Sequence, residues 1–317
     1  MSEQTLHPSP PFKRMALIGL GLMGSSLAWA ARRFELADEI VGYARSEQTR
    51  ARALELGFID QAHQTAHAAV KGADIVILCV PVGANAAIAE EISTFLLPNT
   101  IVTDVGSVKS AVIKDVGPHI PLGVHFIPAH PIAGTEQSGP DAGFADLFQG
   151  RWCVLTPTDN TDPTALKRLE EFWRGCGMFV DTMTPQHHDL VLAITSHVPH
   201  LIAYNIVGTA ADLEEVTQSE VVKYAAGGFR DFTRIAASDP VMWRDVFLTN
   251  REAVLEMLGR FTEDLTALQR AIRWSDGKTL EELFTRTRAI RRGVIDAGQE
   301  TDARDFGRWG KSEEDVS

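Results

Sequence analysis

The sequence predicts an α/β fold in which a doubly wound parallel sheet is followed by an all-helical domain. Short apolar runs alternate with helical segments through the first half of the 317 residues, and no strand pattern follows residue 184. Such alternation is typical of a parallel sheet that is covered by helices on both faces. The third observation is a glycine-rich turn between the first strand and the first helix, which also indicates a ligand site.

Each predicted strand is a short apolar run that ends at a glycine, a proline or a polar turn. The runs are Met15–Ile18, Glu39–Ala44, Asp74–Val80, Thr100–Val105, Gly123–Pro128, Arg151–Thr156 and Met178–Met183. The helices predicted between them extend to about Arg33 and over Ser46–Leu56, Ala84–Leu97, Ser107–Val116 and about Asp162–Cys176. Ligands of such sheets bind at the carboxyl ends of the strands, so the segments that follow those ends form the candidate site.

The second half of the chain is predicted to be helical throughout. The predicted helices cover Pro185–Gly208, Leu213–Ala226, Pro240–Ile272 and Thr279–Asp296, with breaks at Gly227-Gly228 and around Ser275–Gly277. Asp239 and Pro240 form a helix-start signal, since a capping side chain followed by proline suits the first turn. Several of these helices carry more apolar residues than one buried face needs, so we expect some to pack against a second subunit.

The composition is that of a soluble globular protein and argues against several classes of partner. Hydrophobic residues make up 44% of the chain, and no uninterrupted apolar stretch approaches the length of a membrane span. The formal net charge of −12 argues against nucleic acid and anionic membrane surfaces. Cys79, Cys153 and Cys176 form neither a paired framework nor a CxxC motif, which indicates reduced, buried thiols and a cytoplasmic location.

The glycine-rich turn spans residues 19–24 and has the spacing of a dinucleotide-binding motif. Gly19 allows the tight turn, Gly21 lets the backbone approach a pyrophosphate, and Gly24 lets the helix pack close to its strand. The N-terminus of that helix then presents unpaired N–H groups to the anion. The predicted cofactor contacts at this and the third strand end are completed by Leu22, Met23, Val80 and Pro81.

Two other interpretations of this segment stay open. The glycines can form a turn that binds no ligand. Lys13 and Arg14 also precede an apolar run that ends near residues 28–31, and this order imitates the parts of a secretory signal. Three glycines at fixed spacing suit a signal core poorly, and strands continue downstream, so dinucleotide binding is favoured.

The end of the second predicted strand bears on the choice of cofactor. An NAD site usually has an acidic residue there, which binds the ribose 2′-hydroxyl, but this chain has Ala44 followed by Arg45 and Ser46. A cation beside a hydroxyl suits a 2′-phosphate, and Arg50 adds a second cation. The sequence therefore favours NADP over NAD; the alternative is that Arg45 is only a solvated loop residue.

Polar side chains that follow the later strands are candidate site residues. Ser107 and Lys109 lie beyond the fourth strand on the opening turn of a helix, where Ser107 is either a cleft residue or a helix N-cap. His130 lies beyond the fifth strand and precedes a proline. A histidine at this edge can be the general base that takes a hydroxyl proton during hydride transfer. His125 is predicted to be structural.

The helical half contributes two further groups of polar residues. His197 and His200 lie on nearly one face of a helix, but no carboxylate or cysteine set completes a ligand group, so no metal is predicted. Residues 227–243 combine a helix break with arginines, an acid and a tryptophan, a mixture that binds carboxylates. The alternative for this segment is a surface helix with salt bridges.

Five segments together resemble the prephenate/arogenate (cyclohexadienyl) dehydrogenases of tyrosine biosynthesis. They are GLGLMGSSLA, GSVK, HPIAGTE, SHVPH and GGFRDFTRIAASDPVMWRD, in this order, and the resemblance runs from about residue 13 to residue 300. It implies a Rossmann-like domain, a homodimer formed through the helical domain, and oxidative decarboxylation of prephenate or arogenate with NAD or NADP.

The resemblance also implies roles for the candidate residues. His130 would accept the proton of the ring hydroxyl, Ser107 would orient His130, and Arg234 would hold the ring carboxylate. The other predicted substrate contacts are His200, His197, Asp231, Trp243 and Lys109, and Asp231 would extend toward a neighbouring subunit. Ala44 departs from the many NAD-using members that have an acid there, which leaves the choice of cofactor open.

These observations predict a disordered tail over residues 1–12, a dinucleotide-binding domain over 13–184, a helical substrate and dimerisation domain over 185–300, and a polar tail over 301–317. Two alternative functions stay open. A β-hydroxyacid dehydrogenase also tends to open with GLGxMG, but its catalytic lysine has no counterpart in residues 184–205. A non-catalytic dinucleotide-binding regulator would not need His130, Ser107 and Arg234 together. The sequence does not distinguish prephenate from arogenate.

Overall fold

A computed structural model of the protein describes residues 11–217 and 226–296. The predicted doubly wound sheet is confirmed, with parallel strands in the order β3-β2-β1-β4-β5-β6. The strands are β1 (Phe12–Ile18), β2 (Ala37–Tyr43), β3 (Gln61–His63), β4 (Ile75–Leu78), β5 (Ile101–Asp104) and β6 (His125–Phe126). The strand order reverses between β1 and β4, and a ligand crevice is expected beyond their carboxyl ends.

Both faces of this sheet are buried. Successive residues of β1 alternate between two apolar clusters, with Met15 and Leu17 in one and Ala16 and Ile18 in the other. This explains why the strands are continuous apolar runs, as a sheet covered on both sides requires. The helices of this region are α1 (Leu22–Arg33), α2 (Glu47–Leu56), α3 (Ala66–Ala69), α4 (Asn85–Ile92) and α5 (Ser110–Val116). The short strand β3 was not predicted, since it has only three residues and both its ends are polar.

The last three strands form a separate small sheet, a division that the sequence analysis did not anticipate. Its strands are β7 (Ala129–Pro131), β8 (Trp152–Leu155) and β9 (Phe179–Thr182), with helix α6 (Pro163–Gly175) between the last two. β7 is antiparallel to β8, and β8 is parallel to β9. Pro128 marks the division: the N–H of Ile127 still donates to the carbonyl oxygen of Val102 (2.9 Å), whereas the carbonyl oxygen of Pro128 accepts from the N–H of Thr156 (3.0 Å), next to β8. After Pro128 the chain continues into β7, which places His130 in the second sheet.

The helical half follows the predicted pattern with three differences. Its helices are α7 (Pro185–Leu192), α8 (Val198–Thr217), α9 (Gly227–Thr233), α10 (Pro240–Thr249), α11 (Arg251–Arg273) and α12 (Gly277–Asp296). A π-helical turn, Ala193–His197, joins α7 to α8. Asn250 interrupts the predicted helix Pro240–Ile272, and Gly227 begins a helix instead of lying in a break. The predicted helix Leu213–Ala226 and both predicted tails lie partly or wholly outside the described residues.

By its contacts, the chain divides into one compact unit that extends to Met257 and another that begins at Leu258. All the candidate site residues belong to the first unit. The predicted boundary near residue 184 is where the strands end, and as a domain boundary it stays a prediction. The continuous helical stretch Pro185–Asp212 is long and apolar enough, by length and composition alone, to cross a membrane. It nevertheless carries His188, Asp189 and His197 in buried positions, as a helix packed within a protein does.

Candidate active site

The glycine-rich turn has the geometry of a phosphate-binding loop. Gly19 has φ +108°, and a Cβ at this position would lie 2.3 Å from the carbonyl oxygen of Cys79. A Cβ on Gly24 would lie 2.0 Å from the carbonyl oxygen of Gly19, so both positions require glycine. Around Gly21, by contrast, nothing lies within 4 Å of an added Cβ. That open space adjoins the first turn of α1, where no side chain caps the N–H groups, and it fits a pyrophosphate.

The loop after β2 holds one cation in place and leaves another exposed. The Nη1 atom of Arg50 donates to the carbonyl oxygens of Ala44 (2.6 Å) and Arg45 (3.0 Å), so Arg50 shapes the loop. The Oγ atom of Ser46 accepts from the N–H of Thr49 (3.3 Å) and caps α2. Arg45 is exposed, and nothing in the described part of the chain pairs with its guanidinium. Of the two cations, Arg45 is therefore the one available to a ligand.

Lys109 lies inside the protein, which differs from its predicted contact with substrate. Its side chain is fully buried, and its Nζ atom donates to a carboxylate oxygen of Asp104 and to the carbonyl oxygen of Ala129 (2.6 Å). Asp104 also accepts from the N–H of Ala129 (3.2 Å). Burial lowers the pKa of Lys109, and the adjacent Asp104 carboxylate opposes that shift. Lys109 therefore connects the end of β5 to the start of β7 and is enclosed where a substrate cannot reach it.

His130 is the central residue of β7 and is 8% exposed. Its Nδ1 atom lies 2.9 Å from Nε2 of His188, and the two rings meet edge to face at a centroid distance of 5.1 Å. The Nδ1 atom of His188 in turn lies 2.9 Å from Oδ1 of Asp189. Burial lowers the pKa of His130 well below its ordinary value, and His188 and Lys109 lower it further. His130 is therefore neutral at pH 7, in the form that can accept a proton.

In the described part of the chain, Ser107 neither caps a helix nor forms a hydrogen bond with His130. Helix α5 begins at Ser110, and the N–H groups of Lys109 and Ser110 are bound by the carboxylate of Asp189 at 2.7 and 2.9 Å. The N-cap interpretation of Ser107 is therefore wrong, because Asp189 supplies the cap from another helix. Among the described residues no hydrogen bond joins Ser107 to His130, and the side chain bonded to His130 is that of His188.

The second set of polar residues lies on α8 to α10. His200 stacks on Trp243 at a centroid distance of 3.7 Å, and its Nδ1–H donates to the carbonyl oxygen of Ser196 (2.8 Å), which leaves Nε2 free. Arg234 is about half exposed and pairs with Glu136 at 3.1 Å. Burial lowers the pKa of His200, and the positive charge of Arg234 lowers it further. This cluster presents a cation and an aromatic face beside a neutral histidine.

His197 and Asp231 occupy different environments from this cluster. His197 is fully buried, and its Nδ1 atom lies 3.0 Å from Nδ2 of Asn250. Burial lowers the pKa of His197 to about 4. His197 therefore supports the interior between His200 and His188 and offers no exposed surface. Asp231 lies on the exposed side of α9, where its predicted contact with a second subunit stays a prediction.

Four residues of the site have no predicted role. They are His188, Asp189, Asn250 and Glu136. His188 and Asp189 had a detectable signal, because a charged and a polar residue interrupt the buried face of an apolar helix. Glu136 had none beyond its place after the HPIAGT segment. Among the described residues no three histidine, cysteine, aspartate or glutamate side chains are arranged to hold a metal ion.

The fold and the site together define a dinucleotide-binding oxidoreductase with a Rossmann-type domain. Models of two consecutive family domains match the chain: the nucleotide-binding domain of prephenate dehydrogenase over residues 27–181 and its dimerization domain over residues 184–286. The chain therefore belongs to the prephenate dehydrogenase family, which confirms the resemblance predicted from its motifs.

Individual relatives agree with this assignment. The cyclohexadienyl dehydrogenase of Zymomonas mobilis is 42% identical over 282 residues, which cover 88% of this chain and 95% of that protein. The crystal structure of prephenate dehydrogenase from A. aeolicus, in complex with hydroxyphenyl propionate and NAD+, is 34% identical, has a TM-score of 0.83 and covers 92% of this chain and 100% of that one. Synechocystis arogenate dehydrogenase is 30% identical, with a TM-score of 0.74, and covers 89% of this chain and 99% of its own.

Proposed function

We propose that this protein oxidatively decarboxylates prephenate, arogenate or both, in tyrosine biosynthesis. The observation that carries the proposal is a neutral, nearly buried His130, which belongs to the same compact unit as a phosphate-binding turn and the half-exposed Arg234. The substrate ring loses CO₂ and becomes aromatic, so the reaction is downhill. The protein then has to position the ring, accept one proton and hold one carboxylate.

The roles follow from the geometry of each side chain. His130 accepts the proton of the ring hydroxyl as the hydride leaves the same carbon. Arg234 binds the ring carboxylate, for which it exchanges an exposed partner, Glu136, at little cost. His200 contacts the substrate through its free Nε2 atom, and Trp243 supports the ring of His200. Ser107 follows β5, and its predicted role of orienting His130 stays a prediction.

The cofactor is proposed to be NADP, used at least as well as NAD. Gly19, Gly21 and Gly24 form the turn that would hold the pyrophosphate, and the bound nicotinamide would supply the hydride acceptor. Ala44 supplies no carboxylate for a ribose 2′-hydroxyl. Arg45 is exposed beside it and can bind a 2′-phosphate, whereas Arg50 is engaged with the loop backbone. Leu22, Met23, Val80 and Pro81 complete the proposed contacts.

The protein is also proposed to be a cytoplasmic homodimer with no nucleic-acid or membrane partner. The family model that matches residues 184–286 is that of a dimerization domain. Large apolar side chains on α11 and α12 are exposed in one chain, among them Leu255, Leu265, Ile272, Phe284 and Ile290. Light scattering coupled to size-exclusion chromatography would measure the mass, and a monomer at micromolar concentration would contradict this proposal.

One experiment tests the function directly. Initial rates are measured with prephenate and with arogenate, each with NAD and with NADP, while hydroxyphenylpyruvate, tyrosine and reduced cofactor are quantified. We expect turnover with at least one substrate and release of CO₂ in equal amount to the reduced cofactor. Reduced cofactor without decarboxylation, or no turnover in any combination, would contradict the proposal.

A further inference from the structure

We propose that His188 and Asp189 are positioning residues that fix the tautomer of His130 and thereby make its Nε2 the proton-accepting atom. The inference rests on the proposed function, in which His130 takes a proton from the substrate. It is carried by an unbroken line of hydrogen bonds. Asp189 Oδ1 lies 2.9 Å from Nδ1 of His188, and Nε2 of His188 lies 2.9 Å from Nδ1 of His130.

The direction of each bond follows from the chemistry of the groups. An ionised carboxylate can only accept, so Nδ1 of His188 must carry the proton that joins it to Asp189. In a neutral ring Nε2 of His188 is then an acceptor, and Nδ1 of His130 must be the donor to it. The same rule applied once more leaves Nε2 of His130 without a proton. The base is thereby assigned to one atom of one ring.

Burial and hydrogen bonding keep His188 neutral and Asp189 ionised. Desolvation lowers the pKa of the fully buried His188, although its bond to Asp189 opposes the shift, so the ring is neutral at pH 7. Burial by itself would raise the pKa of Asp189, but the hydrogen bonds from His188, Lys109 and Ser110 outweigh it and keep the carboxyl ionised. An anion that accepts from several donors is stable even when it is nearly buried.

Three hydrogen bonds besides the one to His188 fix the position of Asp189. Its two carboxylate oxygens accept from the N–H groups of Lys109 and Ser110 at the start of α5. Its own carbonyl oxygen accepts from Nδ2 of Asn250 (2.9 Å). Rotation of the carboxylate would leave the N–H groups of Lys109 and Ser110 without an acceptor in a buried place.

The line also determines what happens when His130 gains a proton. The new positive charge lies two hydrogen bonds from the Asp189 carboxylate, which stabilises it through His188 as the buried carboxylate of a catalytic triad does. The other charged or titratable groups that influence His188 or His130 are Lys109, Asp104 and His197. Lys109 and Asp104 are paired with each other, so Asp189 is the anion in direct line with His130.

The first test measures the tautomer itself. Long-range ¹H–¹⁵N NMR on the full-length protein labelled in its histidines separates protonated from unprotonated ring nitrogens, and single-histidine variants assign the signals. At pH 7.5 we expect protonated Nδ1 and unprotonated Nε2 in both His130 and His188. A His130 ring with its proton on Nε2 would overturn the proposal, whatever the kinetics show.

The second test is kinetic and uses a neighbouring histidine as the control. His188→Asn should lower kcat by roughly 10- to 100-fold, with the substrate KM within about threefold of wild type, because the ring of His130 loses its partner. His187→Asn changes the adjacent but exposed residue and should keep wild-type kcat. Asp189→Asn should lower kcat and move the limiting pKa of kcat/KM to lower pH, because the imidazolium loses its anion. Structural damage alone would lower the melting temperature without that shift.

The outcomes separate this proposal from the proposed function. If His130→Ala abolishes turnover while His188→Asn behaves as His187→Asn, the base is correct and the positioning role is wrong. If His130→Ala keeps wild-type kcat, the base assignment and the positioning role both fail, whereas the proposed function fails only if the wild type shows no turnover with either substrate. If His188→Asn or Asp189→Asn does not fold, the NMR measurement on the wild-type protein still decides the tautomer.

Discussion

The side chain of Asn250 is bonded to the backbone of Asp189, with its Nδ2 atom 2.9 Å from the carbonyl oxygen. Asn250 is 5% exposed and lies at the junction of α10 and α11. The same Nδ2 atom lies 3.0 Å from Nδ1 of His197. One amide group therefore connects the junction of α10 and α11 to Asp189, the residue that is hydrogen-bonded to His188.

Asn250→Ala should destabilise the protein by about 1–3 kcal/mol, because the carbonyl oxygen of Asp189 and Nδ1 of His197 lose their donor inside the protein. Urea unfolding followed by circular dichroism measures the change. Asn160→Ala, in an exposed turn, is the matched control and should have little effect. Equal stability of the two variants would show that the Asn250 amide is replaceable by water.

His130→Ala should lower kcat by about 10²–10⁴-fold with a modest change in substrate KM, as expected for loss of a general base. In the wild type the base is active when neutral, so kcat/KM should rise with pH through the pKa of His130. Burial lowers that pKa well below the ordinary histidine value of 6.5, so the rising part of the pH profile should lie well below pH 6.5. A rise above pH 6.5, or one that persists in the variant, would contradict the assignment.

Arg234→Lys should raise the substrate KM strongly and leave the cofactor KM unchanged. A guanidinium can bind a carboxylate through two parallel hydrogen bonds, which an ammonium cannot copy. Arg230→Lys, on the same helical segment but without a proposed substrate contact, serves as the control. A rise in the cofactor KM would show that Arg234 binds the cofactor and would contradict its assignment to the substrate.

Arg45→Ala should weaken the binding of NADP by about ten- to hundredfold and leave the binding of NAD unchanged. The reason is that a charge-assisted hydrogen bond to a 2′-phosphate contributes roughly 1.5–3 kcal/mol. Ala44→Asp should shift the preference toward NAD through repulsion of that phosphate. The measurement is kcat/KM for both cofactors in wild type and both variants. A wild type that strongly prefers NAD, together with unchanged kcat/KM values in Arg45→Ala, would show that the loop after β2 does not contact the 2′ position of the cofactor.

Stability should fall as the pH decreases from about 6.5 to about 4, and His197 should account for part of the loss. Its pKa is lowered to about 4 by burial, so the unfolded chain binds the proton first and unfolding is favoured as the pH falls through this window. The full effect is roughly 3 kcal/mol. His197→Gln should flatten the dependence of the unfolding free energy on pH, whereas His187→Gln, at an exposed position, should not.

Features that depend on neighbours along the chain were predictable from the amino-acid sequence. The run from Met15 to Gly24 predicted the strand, the turn and the helix, because apolar periodicity and glycine conformation are local properties. The predicted helix Ser46–Leu56 agrees with α2, which the structure shows to be capped by Ser46 and to end at Gly57 with a left-handed φ of +79°. The order of the motifs predicted the family. The candidate general base followed from its position after a strand end, and the candidate carboxylate-binding segment followed from its residue types.

The connections between those residues depend on how the folded chain packs, and no pattern in the sequence predicted them. His130 and His188 are 58 positions apart, and Lys109 and Asp189 are 80 apart, so no local pattern relates them. The interior also changed two roles: Lys109 was predicted to meet the substrate but is fully enclosed, and the cap assigned to Ser107 comes from Asp189. A buried polar group must find its partner wherever the packing places one, and packing is a property of the whole fold.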